Sequence, residues 1–63
     1  MANIKDLLDN IHNKEITIYD GAMKYTSILF YGSASEAIEK YGTWIYAGYD
    51  VYENGIDILV YTV

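Results

Sequence analysis

The stretch DVYENGIDILVYTV, residues 50–63, predicts a β-hairpin. Glu53, Asn54 and Gly55 supply its turn, because Asn-Gly is the strongest short signal for a hairpin. After the turn the side chains alternate between two faces, with Ile56, Ile58, Val60 and Thr62 on one and Asp57, Leu59, Tyr61 and Val63 on the other. The pattern predicts strands over residues 43–52 and 56–63, and Gly48 marks a position where a bulge would shift the faces by one residue.

A short helix is predicted just before this hairpin, over residues 34–41. Ser33 and Glu36 have the spacing of a capping box, in which the Ser33 side chain binds the Glu36 N–H and the Glu36 side chain reaches back to Ser33. Gly42 can adopt the left-handed conformation that ends many helices. The helix has one apolar stripe, at Ala34, Ala37, Ile38 and Tyr41.

The first part of the chain predicts a helix and two strands. Asn3 is a suitable N-cap for a helix over residues 3–13, whose apolar stripe is Ile4, Leu7, Leu8 and Ile11. Residues 15–20 alternate as a strand, and Asp20-Gly21 favours a turn because both residues tolerate positive φ. A second strand follows, over about residues 23–31.

The order α-β-β-α-β-β predicts one α+β domain over residues 1–63, with two helices packed on one face of a four-stranded, mainly antiparallel sheet. The helix-facing side is predicted to carry Ile16, Ile18, Ile28, Phe30, Ile45, Ala47, Val51, Ile58 and Val60. The opposite side is predicted to carry Tyr19, Leu29, Tyr31, Trp44, Tyr46, Leu59, Tyr61 and Val63. A sheet face that is exposed to solvent normally carries polar residues. An apolar second face favours a second copy or another protein as its cover, although aromatic residues are also simply common in strands.

Composition excludes several classes of function. The chain has 63 residues, a net charge of −5, one histidine, and no Arg, Cys or Pro. The lack of cysteine excludes disulfides and thiolate metal sites, and the lack of arginine argues against direct binding of nucleic-acid phosphates. His12 is explained by a favourable position at a helix C-terminus. No catalytic constellation is recognisable, so we expect no enzyme activity and no cofactor.

The acidic residues of the last hairpin are Asp50, Glu53 and Asp57, and residues 43–63 contain no lysine. These three carboxylates do not follow the spacing of a calcium-binding loop, so no metal site is predicted. Their field would steer association with a basic partner, and carboxylates on a rigid surface can imitate a phosphate backbone. The alternative is that the net charge only keeps an apolar domain in solution.

No targeting segment or membrane span is expected. The start, MANIKD, lacks the apolar region of a signal peptide. The longest apolar runs, such as 28–31 and 58–61, are far shorter than the ~20 residues that span a bilayer. A cytoplasmic location is therefore expected.

The stretch NIKDLL at residues 3–8, followed by Ile11, Asn13-Lys14-Glu15 and Thr17-Ile18, resembles the start of small phage-encoded anti-CRISPR proteins that inhibit Cas9. The resemblance fades after Asp20, and no functional residue carries over from it. Members of that family are acidic, are not enzymes, and occupy the site where Cas9 reads the short DNA motif beside its target. The resemblance implies a phage or mobile-element protein that acts by binding in the cytoplasm of a Gram-positive host.

Two functions follow as expectations. The first is a non-enzymatic phage-type protein that inhibits or modulates a host protein with a basic surface, such as a nucleic-acid-binding nuclease. The second is a homo-oligomer, such as a homodimer, that assembles through its apolar sheet face. A small-molecule pocket between two protomers stays open as well. The predicted partner-binding residues are Asp50, Glu53, Asp57, Tyr46, Tyr61, Leu59, Tyr31 and Trp44.

Overall fold

The elements occur in the predicted order and confirm the α+β class. A computed structural model describes residues 2–23 and 26–61. A short 3-10 helix, Gly21–Met23, lies between the first two strands. The elements are α1 (Ile4–Leu8), β1 (Glu15–Asp20), β2 (Ile28–Ser33), α2 (Ala34–Tyr41), β3 (Tyr46–Val51) and β4 (Gly55–Val60).

The sheet is mixed, so the prediction of a mainly antiparallel sheet is wrong. Its strand order is β2-β1-β4-β3. β1 pairs antiparallel with β2, β4 pairs antiparallel with β3, and the two central strands, β1 and β4, are parallel. The second hairpin therefore adds to the first through β4. Alternation within a strand defines its faces but does not say which strand will be its neighbour.

Helix α1 is much shorter than the predicted span of residues 3–13. Asn3 caps it as expected, with its side-chain oxygen accepting from the Asp6 N–H at 2.9 Å. The helix ends at Leu8, and the Ile11 N–H donates to the Leu8 carbonyl in a final turn. Ile11 still packs against the core. His12 lies exposed beyond the helix, so the predicted interaction with the helix end is wrong.

Helix α2 has its predicted bounds and its predicted N-cap, Ser33. The Glu36 N–H donates to the Ser33 hydroxyl, and this hydroxyl donates to the Glu36 carboxylate, both at 3.2 Å, so Glu36 reaches back to the Ser33 side chain. The prediction for Gly42 is wrong, because this residue is the C-cap with right-handed backbone angles, φ −57° and ψ −31°. Its carbonyl accepts from the Lys5 N–H at 3.0 Å, which ties the end of α2 to the start of α1.

The core lies on one side of the sheet, here called the inner face; the other side is the outer face. Alternate residues of the central strands are fully buried there, since burial of apolar area is the main favourable term in folding. One buried cluster joins sheet and helix side chains: Ile16, Ile18, Phe30, Ile56, Ile58 and Val60 from the sheet, and Ile4, Leu8, Ala34 and Ala37 from the helices.

A bulge in the first hairpin reverses the predicted faces of Ile28 and Leu29, whereas Phe30 and Tyr31 keep their predicted faces. The register pairs Phe30 with Ile18 but Ile28 with Tyr19, so one residue is skipped. Ile28 therefore turns to the outer face and is 60% exposed, although the sequence predicts it in the core. Leu29, predicted on the opposite side, is half-buried and packs against the core.

A second shift of strand register, near Gly48, changes which residues of β3 lie on each face, as predicted for a bulge at this glycine. Tyr46 is opposite Val60 and packs against the core, while Gly48 is opposite Leu59. The predicted core positions Ile45 and Ala47 are exposed. Val51 lies on the inner face, opposite Ile56, but it too is largely exposed because it is on the last strand of the sheet.

The turns differ from the predictions at two glycines. Asp20 and Gly21 do not form a hairpin turn; the Asp20 side chain accepts from the Ala22 N–H, and Gly21 starts the 3-10 helix without positive φ. In the second hairpin the residues between the strands are Tyr52, Glu53 and Asn54, and Gly55 already belongs to β4. A Cβ on Gly55 would lie 3.1 Å from the Glu15 carbonyl oxygen of β1, the parallel neighbour. Glycine therefore allows the two strands to approach each other closely at this position.

No helix within the described residues is long and apolar enough to cross a membrane. The predicted position of Val63 on the outer face lies outside the described residues.

Candidate protein-binding surface

The outer face is the most distinctive surface of the molecule. Strand register sets its side chains in rows across the sheet: Ser33, Glu15 and Gly55; then Tyr31, Thr17, Asp57 and Asp50; then Ile28, Tyr19, Leu59 and Gly48. The alternation continues to Tyr52 beyond β3 and to Tyr61 beyond β4. Exposed rings and an exposed isoleucine thus lie among carboxylates on one rigid sheet.

Two aspartates lie directly opposite each other on this face. Asp50 of β3 pairs with Asp57 of β4 in the antiparallel ladder. Like charges at directly opposite positions destabilise a sheet by a few tenths of a kcal/mol to about 1 kcal/mol. A feature that costs stability without serving the core is typical of a functional surface.

Tyr52 shares the electrostatic environment of this pair. Its phenol pKa is raised from its ordinary value of 10.0, first by desolvation and then by the negative charges of Asp50 and Asp57 and by Tyr19. The phenol therefore stays neutral, and it remains a hydrogen-bond donor well above neutral pH.

Tyr31 and Glu15 form the other polar contact of the outer face. The Tyr31 hydroxyl donates to the Glu15 carboxylate at 2.6 Å across β1 and β2. This hydrogen bond raises the pKa of the Tyr31 phenol, with desolvation and the Glu15 charge adding to the effect. The bond fixes the ring of an exposed tyrosine in one orientation, which lowers the entropy lost when a partner covers it.

Glu15→Gln is expected to lower the pKa of Tyr31 toward its ordinary value of 10.0. A pKa raised by folding means that the stabilisation is present below the unfolded value and is lost as pH rises through the folded one. The variant should therefore weaken the loss of stability above pH 10. NMR titration of the tyrosine ring carbons measures the pKa, with Glu39→Gln on α2 as control. An unchanged Tyr31 titration in Glu15→Gln would contradict the hydrogen bond.

The described lysines do not neutralise this face. Lys5 is on α1, and Lys40 is on α2 with its ammonium 5.8 Å from the centre of the Phe30 ring. Lys14 binds the backbone carbonyls of Tyr52 and Glu53, at 2.6 and 2.8 Å, and so ties the end of the second hairpin to the start of β1. The charged side chains that the register places on the outer face are all acidic.

The structure brings most of the predicted partner-binding residues together. Asp50, Asp57, Leu59, Tyr31 and Tyr61 belong to the outer face, and Glu53 is exposed in the hairpin loop next to it. Whether they bind a partner remains a prediction.

Two of the predicted residues lie elsewhere, so their assignment to this face is wrong. Tyr46 is on the inner face, where it packs against the core and meets the Tyr49 ring edge-to-face at 5.5 Å. Trp44 lies in the turn before β3, with its ring 4.9 Å from that of Tyr41 at the end of α2. The shift near Gly48 and the later start of β3 account for both.

Sequence reasoning missed Glu15, Tyr52 and Ile28, which also belong to this surface. Tyr52 is two residues after Asp50, so the alternation of the strand could have placed it on the outer face. Ile28 could not have been found, because the bulge that turns it outward depends on its pairing with β1.

The described residues contain no buried polar or charged side chain and no group of three or more His, Asp or Glu placed to hold a metal ion.

The chain matches no family model, no curated protein and no solved structure.

Proposed function

We propose that this chain is a non-enzymatic, phage-type binding protein that inhibits a host protein with a basic surface. In this proposal both helices cover the inner face, and the outer face binds the partner. The observation that carries it is the combination of Glu15, Asp50 and Asp57 with exposed Tyr31 and other rings on that face.

Physical chemistry supports a basic protein as the partner. Carboxylates of one sign create a field that speeds the encounter with a surface of opposite sign, and this effect weakens as salt is added. Tyrosine is enriched at interfaces because its ring contributes apolar area while its hydroxyl can hydrogen-bond. The proposal needs neither cofactor nor metal, and it includes no direct contact with nucleic acid or membrane.

The resemblance of residues 3–18 to anti-CRISPR proteins suggests the kind of host protein. A nuclease that grips nucleic acid has a basic groove, which spaced carboxylates can occupy in place of phosphates. A Cas9-type nuclease, inhibited in the host cytoplasm, is therefore the first target to test.

The test is cleavage of target DNA by a Cas9–guide RNA complex in the presence of this protein. Asp50→Asn/Asp57→Asn is compared with Asp9→Asn/Glu39→Gln, which removes two exposed charges from the helical part of the molecule. Both variants change the net charge from −5 to −3. We expect the outer-face variant to inhibit at least about tenfold more weakly than the wild type, and the control to inhibit nearly as well.

Two results would contradict the proposal in different ways. An equal loss in both variants would show that only net charge matters and that the outer face is not the binding surface. A wild-type protein that neither binds nor inhibits the complex would exclude this nuclease as the target.

The second candidate function is a homo-oligomer assembled through the outer face. The exposure of Ile28, Tyr31 and Tyr61, at 60%, 61% and 66%, favours it, because a second copy would cover apolar side chains left exposed on this face. Native mass spectrometry distinguishes the candidates. Multiples of 7.2 kDa would favour the homo-oligomer, and one chain bound to the nuclease would favour the inhibitor.

A further inference from the structure

Strand β3 forms one edge of the sheet. It is last in the strand order, and in the described part of the chain no other strand pairs with it besides β4. The nearest further backbone pairing is an isolated β-bridge between Asn3 and Ile45, just before β3 begins. An edge strand presents backbone groups that can pair with an extended segment of another chain.

The ladder determines which backbone groups point away from β4. The Tyr52 N–H donates to the Gly55 carbonyl at 2.8 Å and closes the second hairpin. In an antiparallel pair, hydrogen-bonded positions alternate with positions whose N–H and C=O turn the other way. Counting back from Tyr52, the Asp50 position belongs to the ladder, while the backbones of Tyr49 and Val51 face the open edge.

The side chains of these two residues are also poorly covered. Tyr49 is 46% exposed and Val51 is 56% exposed, although both lie on the inner face opposite Ile58 and Ile56. Natural edge strands are commonly protected by lysine, proline or a bulge. β3 contains neither lysine nor proline, and its register shift lies at the far end, between Tyr46 and Gly48.

Charge distinguishes this edge from the other one. Asp50 of β3 and Asp57 of the neighbouring β4 lie on the outer face, and Glu53 follows in the loop. Residues 43–63 contain no lysine, and the Lys14 ammonium binds backbone carbonyls of the hairpin loop, those of Tyr52 and Glu53. The edge formed by β2 has the Lys40 ammonium near Phe30. A cationic segment is therefore favoured at β3, whereas a second copy of this chain would bring another net charge of −5.

We propose that β3 binds an extended basic segment of the partner protein as a fifth strand. The segment places Lys or Arg on the outer side beside Asp50, and apolar side chains on the inner side over Tyr49 and Val51. Its backbone hydrogen-bonds to Tyr49 and Val51. This mode of strand addition gives affinity through the main chain and specificity through alternate side chains. It rests on the proposed function, since it specifies how a basic partner is held.

The test uses the whole protein and a short blocked peptide in which lysine and valine alternate. A peptide of the same composition with its lysines and valines in two blocks is the first control, and one with glutamate in place of lysine is the second. NMR-detected hydrogen exchange is followed at the Tyr49 and Val51 amides. We expect only the alternating lysine peptide to slow both, by about tenfold when free peptide exceeds its dissociation constant about tenfold.

Methylation of peptide nitrogens tests the pairing without changing the protein. N-methylation of the valines removes the N–H groups that would face β3 in antiparallel addition, whereas N-methylation of the lysines removes those used in parallel addition. Loss of binding with only one methylated peptide supports strand addition and gives its direction. Equal effects of the two methylated peptides would overturn it.

Two further results separate this inference from the proposed function. Asp50→Asn should weaken peptide binding, and Asp9→Asn should not. Inhibition of the nuclease without protection of Tyr49 and Val51 by the alternating peptide would overturn strand addition and leave the inhibitor function standing. Peptide protection without nuclease inhibition would support the edge site and exclude Cas9 as the target.

Discussion

Ile58→Ala is expected to leave much of the protein unfolded, whereas Ile28→Ala is expected to leave the fold intact. Ile58 is fully buried on central strand β4, and Ile28 is 60% exposed on β2. Truncating a buried isoleucine to alanine costs about 2–5 kcal/mol, from lost transfer free energy and the cavity left behind. A domain of this length has a total stability of about 3–9 kcal/mol, so that cost is a large part of the whole.

Urea unfolding followed by circular dichroism measures the two variants. We expect a free energy of unfolding lower by about 2–5 kcal/mol for Ile58→Ala and by less than about 1 kcal/mol for Ile28→Ala. The comparison is sharp because the residue type and the truncation are identical, and because the alternation of the sequence predicts both residues in the core. Equal losses of unfolding free energy in the two variants would show that Ile28 is buried and would contradict the bulge between β1 and β2.

Gly21→Ala is expected to destabilise the protein, whereas Gly48→Ala is expected to be tolerated. A Cβ on Gly21 would lie 2.6 Å from the Val60 carbonyl oxygen and 3.1 Å from the Tyr61 ring. The carbonyl belongs to a central strand and cannot move away without disturbing the sheet, so we expect a loss of about 1–3 kcal/mol. A Cβ on Gly48 would meet nothing within 4 Å.

The same unfolding experiment compares the two glycine variants. Gly48→Ala should change the free energy of unfolding little, or raise it by up to about 1 kcal/mol, because alanine restricts the unfolded chain more than glycine does. A loss in Gly48→Ala as large as that in Gly21→Ala would contradict the open space at the bulge. A neutral Gly21→Ala would contradict the close approach of the 3-10 helix to the end of β4.

Local patterns predicted the N-terminal cap of each helix because the responsible interactions are themselves local, but the local prediction for Gly42 was wrong. Ser33 and Glu36 are three residues apart, and Ser33 caps the helix as predicted because its bond to the Glu36 N–H needs no other part of the chain. The same holds for Asn3 and the Asp6 N–H. The acidic character of the second hairpin was visible in Asp50, Glu53 and Asp57, although nothing in their spacing indicated that two of them lie directly opposite each other.

The order of the elements, the α+β class and the alternating apolar positions of the central strands followed from patterns along the chain. The folded structure was needed to place β1 and β4 as parallel neighbours, to turn Ile28 outward and to turn Tyr46 inward. A strand's neighbours and its bulges are set by contacts between residues far apart along the chain. A shift of one residue then exchanges the two faces of every position beyond it.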